Sequence, residues 1–258
     1  APAGPLDEAL RAALDAGLFA VPTIAADGAL FWGSDRLDAL GEALGLPDPP
    51  SLPTVERLPV DAWFDLASPH AFLASVRAEP LLGEVNWQPM ALPSVLRALG
   101  GAQPLLDAPE PKRSWLRADL LRRAADRNLP LRLDRLGART TLPMRAVALT
   151  GTEAGPGRVL FHHLMHCLWI EADDLAAPGV LEARIDETGL HGAALAADAA
   201  AEPGRRALQA ATEAALAAGV FGAPTFVVGT QRFFGEDRLE DAARAARIQG
   251  GIVSIGRS

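Results

Sequence analysis

Residues 17–40, GLFAVPTIAADGALFWGSDRLDAL, and residues 219–242, GVFGAPTFVVGTQRFFGEDRLEDA, align without a gap at an offset of 202 residues. Each begins at a glycine after an alanine-rich helical pattern. A proline then stands directly before a β-branched and aromatic run, and after a turn comes a second aromatic run and an acidic helix start. Proline in that place predicts a cis peptide in a tight turn, because only X–Pro makes the cis form accessible. It also leaves a backbone edge open to whatever lies beside it. Whatever fold the chain adopts must therefore hold two copies of one α-β-β-α unit.

The surroundings of the two copies differ. Around the first, residues 6–16 read as a short amphipathic helix, Asp27-Gly28 as a hairpin turn between strands near 22–26 and 29–32, and Ser34-Asp35 as the cap of a helix over 35–44. Residues 45–54 carry four prolines and no apolar period, the signature of a linker. A new start follows. VDAWFDLAS (60–68) reads as a buried strand, Ser68-Pro69 as a helix start, HAFLASVRAE as a helix broken at Pro80 and Gly83, and VNWQPM (85–90) as a second strand parallel to the first. Residues 91–218 are mostly helical patterns, and the second copy closes the chain.

The order β-α-β, helical insertion, β-β-α is the layout of a thioredoxin fold. The expected fold class is therefore α/β: a thioredoxin fold with a large all-helical insertion, plus an extra N-terminal α-β-β-α copy of the C-terminal half. The expected boundaries are 1–46 for the partial repeat, 47–54 for the linker, 55–92 with 219–250 for the thioredoxin-like domain, and 93–218 for the insertion.

Composition excludes several function classes. The net charge of −8 argues against a nucleic-acid partner. The first twenty residues lack a basic-then-apolar layout, and no apolar run reaches membrane-spanning length, so the protein is expected in the cytoplasm. Cys167 is the only cysteine. Where a disulfide exchanger carries Cys-x-x-Cys, this chain has Ser68-Pro69-His70-Ala71, so neither sulfur exists. A hydroxyl at a helix N-terminus remains, and that position favours an anion. Its plainest role is an N-cap.

FDLASPHAFLA, NWQPM, PEPKRSW leading into RADLLRRAA, LWIEADDLAAPGVL and GVFGAPTF…FFGEDRLE together resemble the 2-hydroxychromene-2-carboxylate isomerase family, over about residues 58–247 and in the right order. That family is close to kappa-class glutathione transferases, within the DsbA-like thioredoxin superfamily. The resemblance implies a glutathione-dependent isomerase acting on a small aromatic substrate, as a homodimer, with no membrane partner. In such enzymes glutathione's sulfur takes the place of the catalytic cysteine.

The resemblance assigns roles residue by residue. Ser68 would hydrogen-bond the thiolate and lower its pKa. Ala223, before the expected cis Pro224, would pair its backbone with glutathione as an added strand. Lys112, the only lysine, matches the family's lysine three residues before an aromatic, here Trp115. Gln103 falls where kappa-like proteins carry asparagine. Glu236 and Asp237 replace the family's Ser/Gln-Asp. Asp237 would meet the γ-glutamyl ammonium, whereas Glu236 would repel the carboxylate unless it turns outward or pairs with that amine. Residues 33–36, Gly-Ser-Asp-Arg, keep the family form in the copy that has no Ser-Pro helix before it.

Three further features carry competing readings. His70 could add positive charge near the thiolate, pack a ring on substrate, or be a surface histidine of a first helical turn. His162, His163 and His166 share one helix, but without a third ligand in the sequence they read as a structural cluster, and no metal is expected. Cys167 reads as core, with Met165 and Trp169 as candidate lining of an acceptor pocket. Two other functions stay open beside the isomerase: a kappa-class-like transferase with the same site, and a non-catalytic thioredoxin-fold binding module.

Overall fold

The computed structural model describes residues 5–33, 36–47, 57–101, 104–152 and 155–255. An N-terminal unit consists of α1 (Pro5–Asp15), β1 (Thr23–Ala26), β2 (Ala29–Trp32) and α2 (Leu37–Ala43). Then come β3 (Val60–Phe64), α3 (Pro69–Leu82) and β4 (Val85–Pro89). The helical segment holds α4 (Leu92–Ala98), α5 (Pro104–Asp107), α6 (Lys112–Ala125), α7 (Thr141–Thr150), α8 (Pro156–Trp169), α9 (Val180–Asp186), α10 (Gly192–Ala200) and α11 (Glu202–Ala217). The chain closes with β5 (Thr225–Val228), β6 (Gln231–Phe234), one 3-10 turn (Glu236–Arg238) and α12 (Leu239–Ile255).

Four strands form one sheet in the order β4-β3-β5-β6. β3 and β4 run parallel, as a helical crossover requires, and the other two pairs are antiparallel. Side chains alternate across the sheet. Val60, Ala62, Phe64, Phe226 and Val228 face the main core with α3, α8 and α12. Trp63 and Val227 point the other way, onto Val95 of α4 and Ala215 of α11. Helix α3 continues through Pro80 and stops at Gly83, whose φ of 84° suits a glycine end, so only one of the two expected breakers ends it.

The two copies fold alike to the level of single bonds. Thr23 pairs with Trp32 and Thr225 with Phe234. Val21–Pro22 and Ala223–Pro224 are both cis. The Thr23 hydroxyl donates to the Ala20 carbonyl at 2.6 Å, and the Thr225 hydroxyl to Gly222 at 2.7 Å. Gly33 N–H and Gly235 N–H donate to Pro22 and Pro224 carbonyls, each at 2.9 Å. The expected cap residues Ser34 and Asp35, and nearly all of the proline-rich stretch, lie outside the described residues.

What differs is the partner. β5 is joined to β3, whereas β1 is hydrogen-bonded only to β2 among the described residues. A two-stranded ribbon is marginal alone, and this one is held from outside by α6. Phe19, Trp32 and Trp115 form an edge-on triangle with centroids 5.1–5.7 Å apart. Trp115 donates its indole N–H to the Leu30 carbonyl at 2.8 Å. The Arg122 guanidinium covers Phe31 at 4.9 Å, and Arg36 grips Asp119 through two hydrogen bonds of 3.0 and 3.3 Å. The repeat therefore docks on the helical segment of its own chain.

Trp115→Ala removes the central ring of this contact. The expected loss is about 3 kcal/mol of stability, together with early proteolytic cleavage within residues 17–47 while the remainder stays resistant. Wild-type melting temperature and wild-type protease resistance would refute the docking role of α6.

Candidate active site

Strand β3 ends in Phe64, and the next four residues are tied down one by one. Asp65 is buried, and its carboxylate accepts from Ala67 N–H at 2.8 Å, Leu92 N–H at 2.8 Å and the Thr140 hydroxyl at 3.0 Å. Burial still dominates and raises its pKa above the ordinary carboxylate value, although these three donors oppose the rise. Leu66 donates its N–H to Met144 Sδ at 3.3 Å, and its carbonyl accepts from the Trp169 indole at 2.9 Å. Ser68, 5% exposed, then caps α3. Its hydroxyl accepts from Ala71 N–H at 3.2 Å and donates to the Ala223 carbonyl at 3.0 Å.

Ser68 thus stands against the cis Ala223–Pro224 bond, 155 residues away in sequence. The Ala223 N–H makes no hydrogen bond to another described residue. The loop is pressed tight here, since a Cβ on Gly222 would lie 2.3 Å from the Phe234 ring. A hydroxyl, a helix N-terminus and an open backbone edge converge on one point, an arrangement that can hold and stabilise a small anion such as a thiolate.

The γ-glutamyl end expected at residues 235–237 is different. Glu236 neither turns outward nor stays free for an amine. It is fully buried and ion-paired to Arg123, to Arg127 at 2.5 Å and to Arg77 at 3.6 Å. Three guanidiniums on α3 and the end of α6 draw the side chain in, which corrects its expected contact with a cofactor. Desolvation, with Arg77 and Arg123 nearby, lowers the pKa of Arg127 despite the attraction of Glu236. Asp237 stays partly exposed. Its carboxylate folds back against Gly235, where a Cβ would lie 2.3 Å from Oδ1, and it sits 3.7 Å from Arg36 of the N-terminal unit. Lys112 begins α6 with its ammonium 5.1 Å from the centre of the Trp32 ring, so the N-terminal unit borders it as well. Gln103 lies outside the described residues.

His70 is partly buried near Arg123, Asp119 and Arg36. Desolvation first, and then the two arginines against the pull of Asp119, lower its pKa to about 4. It is therefore neutral near pH 7, which removes it as a cation beside Ser68. Met165 and Trp169 are core, not pocket lining, because Trp169 is spent on the Leu66 carbonyl. The histidines of α8 find separate carboxylates: His162 with Glu79, His163 with Glu187 and His166 with Glu171. Tertiary structure does add neighbours that the sequence did not show, placing Cys167 Sγ 3.5 Å from His163. Arg184 holds Glu187, Asp173 and Glu171 there, and burial pushes the Cys167 thiol up to about 12.

A cavity of about 530 Å³ opens at the carboxyl ends of β3 and β4. Asp65, Ala67 and Ala91 form its floor, with walls from α4, α7, α11 and the loop before α7. Ala67, which lines it, directly precedes Ser68 in the chain.

Residues 59–247 match the DSBA-like thioredoxin domain family. The 2-hydroxychromene-2-carboxylate isomerase of Sphingobium xenophagum is 28% identical over 185 residues, covering 70% of this chain and 94% of that protein. A solved 2-hydroxychromene-2-carboxylate isomerase superposes with a TM-score of 0.65 at 21% identity, covering 78% of this chain and 97% of that one. The cytosolic disulfide reductase DsbM of Pseudomonas aeruginosa, solved with glutathione, gives 0.51 at 17% identity over 76% and 100% of the two chains. At those identities the two structures speak for the fold, which is the thioredoxin fold with a helical insertion that the order of elements predicts. With its β-α-β unit, cis-proline hairpin and intervening helices all inside the matched span, the chain belongs to the DSBA-like thioredoxin domain family.

Proposed function

We propose that this protein is a glutathione-dependent isomerase of the 2-hydroxychromene-2-carboxylate type. The observation that carries the reading is Ser68, a hydroxyl with no cysteine beside it, capping α3 and 3.0 Å from the carbonyl that precedes a cis proline. The relative named as such an isomerase, and the glutathione-bound DsbM of like fold, support it.

The residues present fit the cysteinyl portion of glutathione. Ser68 and the α3 N-terminus would hold the sulfur as thiolate, and the open N–H of Ala223 would pair with the cysteinyl backbone. When bound, the tripeptide supplies a sulfur nucleophile that adds reversibly to an unsaturated substrate. Ser68 donates a hydrogen bond to hold that sulfur ionised, turning its hydroxyl away from the Ala223 carbonyl. Asp237 is the residue for the ammonium, in exchange with Arg36. Lys112 is the cation for a terminal carboxylate.

The pairing of Glu236 with three arginines and of Asp237 with Arg36 favours a second reading, a binding module whose tripeptide grip has been given over to internal ion pairs. Calorimetry separates the two: glutathione binding at millimolar or tighter affinity supports the enzyme, and its absence supports the module.

Ser68→Ala is expected to cut turnover of a chromene carboxylate at least about tenfold and to raise the pKa of the bound thiol. The variant also loses the α3 cap, at a cost of about 1 kcal/mol. A rate equal to wild type, in protein that still binds glutathione, would sink the proposal.

His70→Gln tests the neutral imidazole. A histidine whose pKa is lowered on folding contributes stability that is present above its unfolded pKa near 6.5 and is lost as pH falls towards about 4. The variant should therefore lose less melting temperature than wild type between those limits, with the bound thiol's pKa unchanged. Parallel melting curves, or a shifted thiol, would show a charged His70.

A further inference from the structure

Four arginines line the cavity beside Ser68: Arg97 of α4, Arg139 before α7, Arg145 of α7 and Arg205 of α11. Arg205 is held by Glu202 at 2.9 Å. The other three make no ion pair or hydrogen bond among the described residues. This is unlike the guanidiniums around Glu236, Asp119 and Glu187, each of which has a carboxylate.

The cavity's own acids form no ion pair with them among the described residues. Asp65 is saturated by two backbone N–H groups and the Thr140 hydroxyl, and Glu213 accepts from Gln209 at 2.8 Å. Met144, Leu106 and Leu208 supply apolar wall between the charges. In a protein of net charge −8, three guanidiniums with no carboxylate partner among the described residues therefore line one half-apolar cavity. Fields are focused in such clefts, and the guanidinium fork matches carboxylate geometry.

We propose that the acceptor bound here is a small unsaturated or aromatic acid that carries, besides the one carboxylate of the chromene type, a second carboxylate separated from it. Three guanidiniums around one cavity offer more forks than a single carboxylate can engage. The guanidiniums come from three different elements with apolar wall between them, which suits two carboxylates on a flat apolar body better than one compact anion. This proposal rests on the isomerase reading in one respect, that it names the cavity's occupant as the substrate of that reaction. The guanidiniums themselves stand independently of it.

The test is calorimetry of the full chain with benzoate, phthalate, isophthalate and phenyl phosphate at fixed ionic strength, with and without glutathione. A dicarboxylate should bind at least about tenfold more tightly than benzoate, a difference of about 1.4 kcal/mol. The advantage should shrink as salt rises. It should be lost in Arg139→Gln and reduced in Arg97→Gln; both side chains are exposed, so folding is not at stake. Equal affinity for benzoate and both dicarboxylates, or dicarboxylate binding indifferent to both substitutions, overturns the assignment. Phenyl phosphate binding more tightly than either dicarboxylate overturns it too. Dicarboxylate binding without any glutathione binding would refute the isomerase and leave the anion site standing.

Discussion

The site depends first on one buried carboxylate. Asp65 ties the loop after β3 to the start of α4 through Leu92 and to the start of α7 through Thr140. Those are the elements that bear Ser68 and two of the unpaired arginines. Burial raises the pKa of Asp65, and what opposes that rise is three hydrogen bonds, with no counter-ion among the described residues. No arginine of the cavity is spent on it, which is why they remain available to a ligand. A carboxylate satisfied by guanidinium would have given the same anchorage and a neutral pocket.

The internal repeat shows how little of an element's fate lies in its own sequence. Both copies form the same hairpin with the same register, turn bonds and cis proline. Local propensity is enough for that much. Whether the hairpin becomes half of an active site depends on what lies against its first strand. β5 has β3, and so its cis-proline carbonyl meets Ser68. β1 has no such strand among the described residues, and its second strand presents Phe31 and Trp32 to α6 instead. Phe233, the counterpart of Phe31, packs against the sheet core and Phe234, the counterpart of Trp32, stays exposed, whereas Phe31 and Trp32 form a docking surface.

The β-α-β unit, the two hairpins and the Ser-Pro helix start were legible because each is a short-range pattern, of period two, turn glycine or cap. The site was legible only where it consists of such patterns, at Ser68 and at Ala223-Pro224. Its electrostatics were not. Glu236 reads as a repulsive acid at a helix start until Arg77 of α3, Arg123 of α6 and Arg127 of the turn after it close around it. His70 reads as a possible cation until two arginines and burial remove its proton. The cavity arginines sit on separate elements with nothing periodic between them, and Asp65 looks like any residue ending a strand. A count of charged groups within each helix carries no information about which of them meet.

The meeting of Arg36 with Asp237 then gains a specific meaning. Arg36 is bound mainly to Asp119, by two hydrogen bonds, and Asp237 is the more distant partner at 3.7 Å. A ligand ammonium could therefore take Asp237 while Arg36 kept its buried anchor and the N-terminal unit stayed docked. Glu236 has no such freedom, since its carboxylate is enclosed and its partners are the ones that fasten the α12 N-terminus to α3 and α6. If the site takes a tripeptide, its amine finds an acid that can change partners, the α-carboxylate beside that amine must rely on backbone N–H groups, and Lys112 is left for the glycyl carboxylate. That asymmetry predicts a weaker hold on glutathione than a small polar residue at 236 would give, and it leaves discrimination between substrates to the arginine-lined cavity.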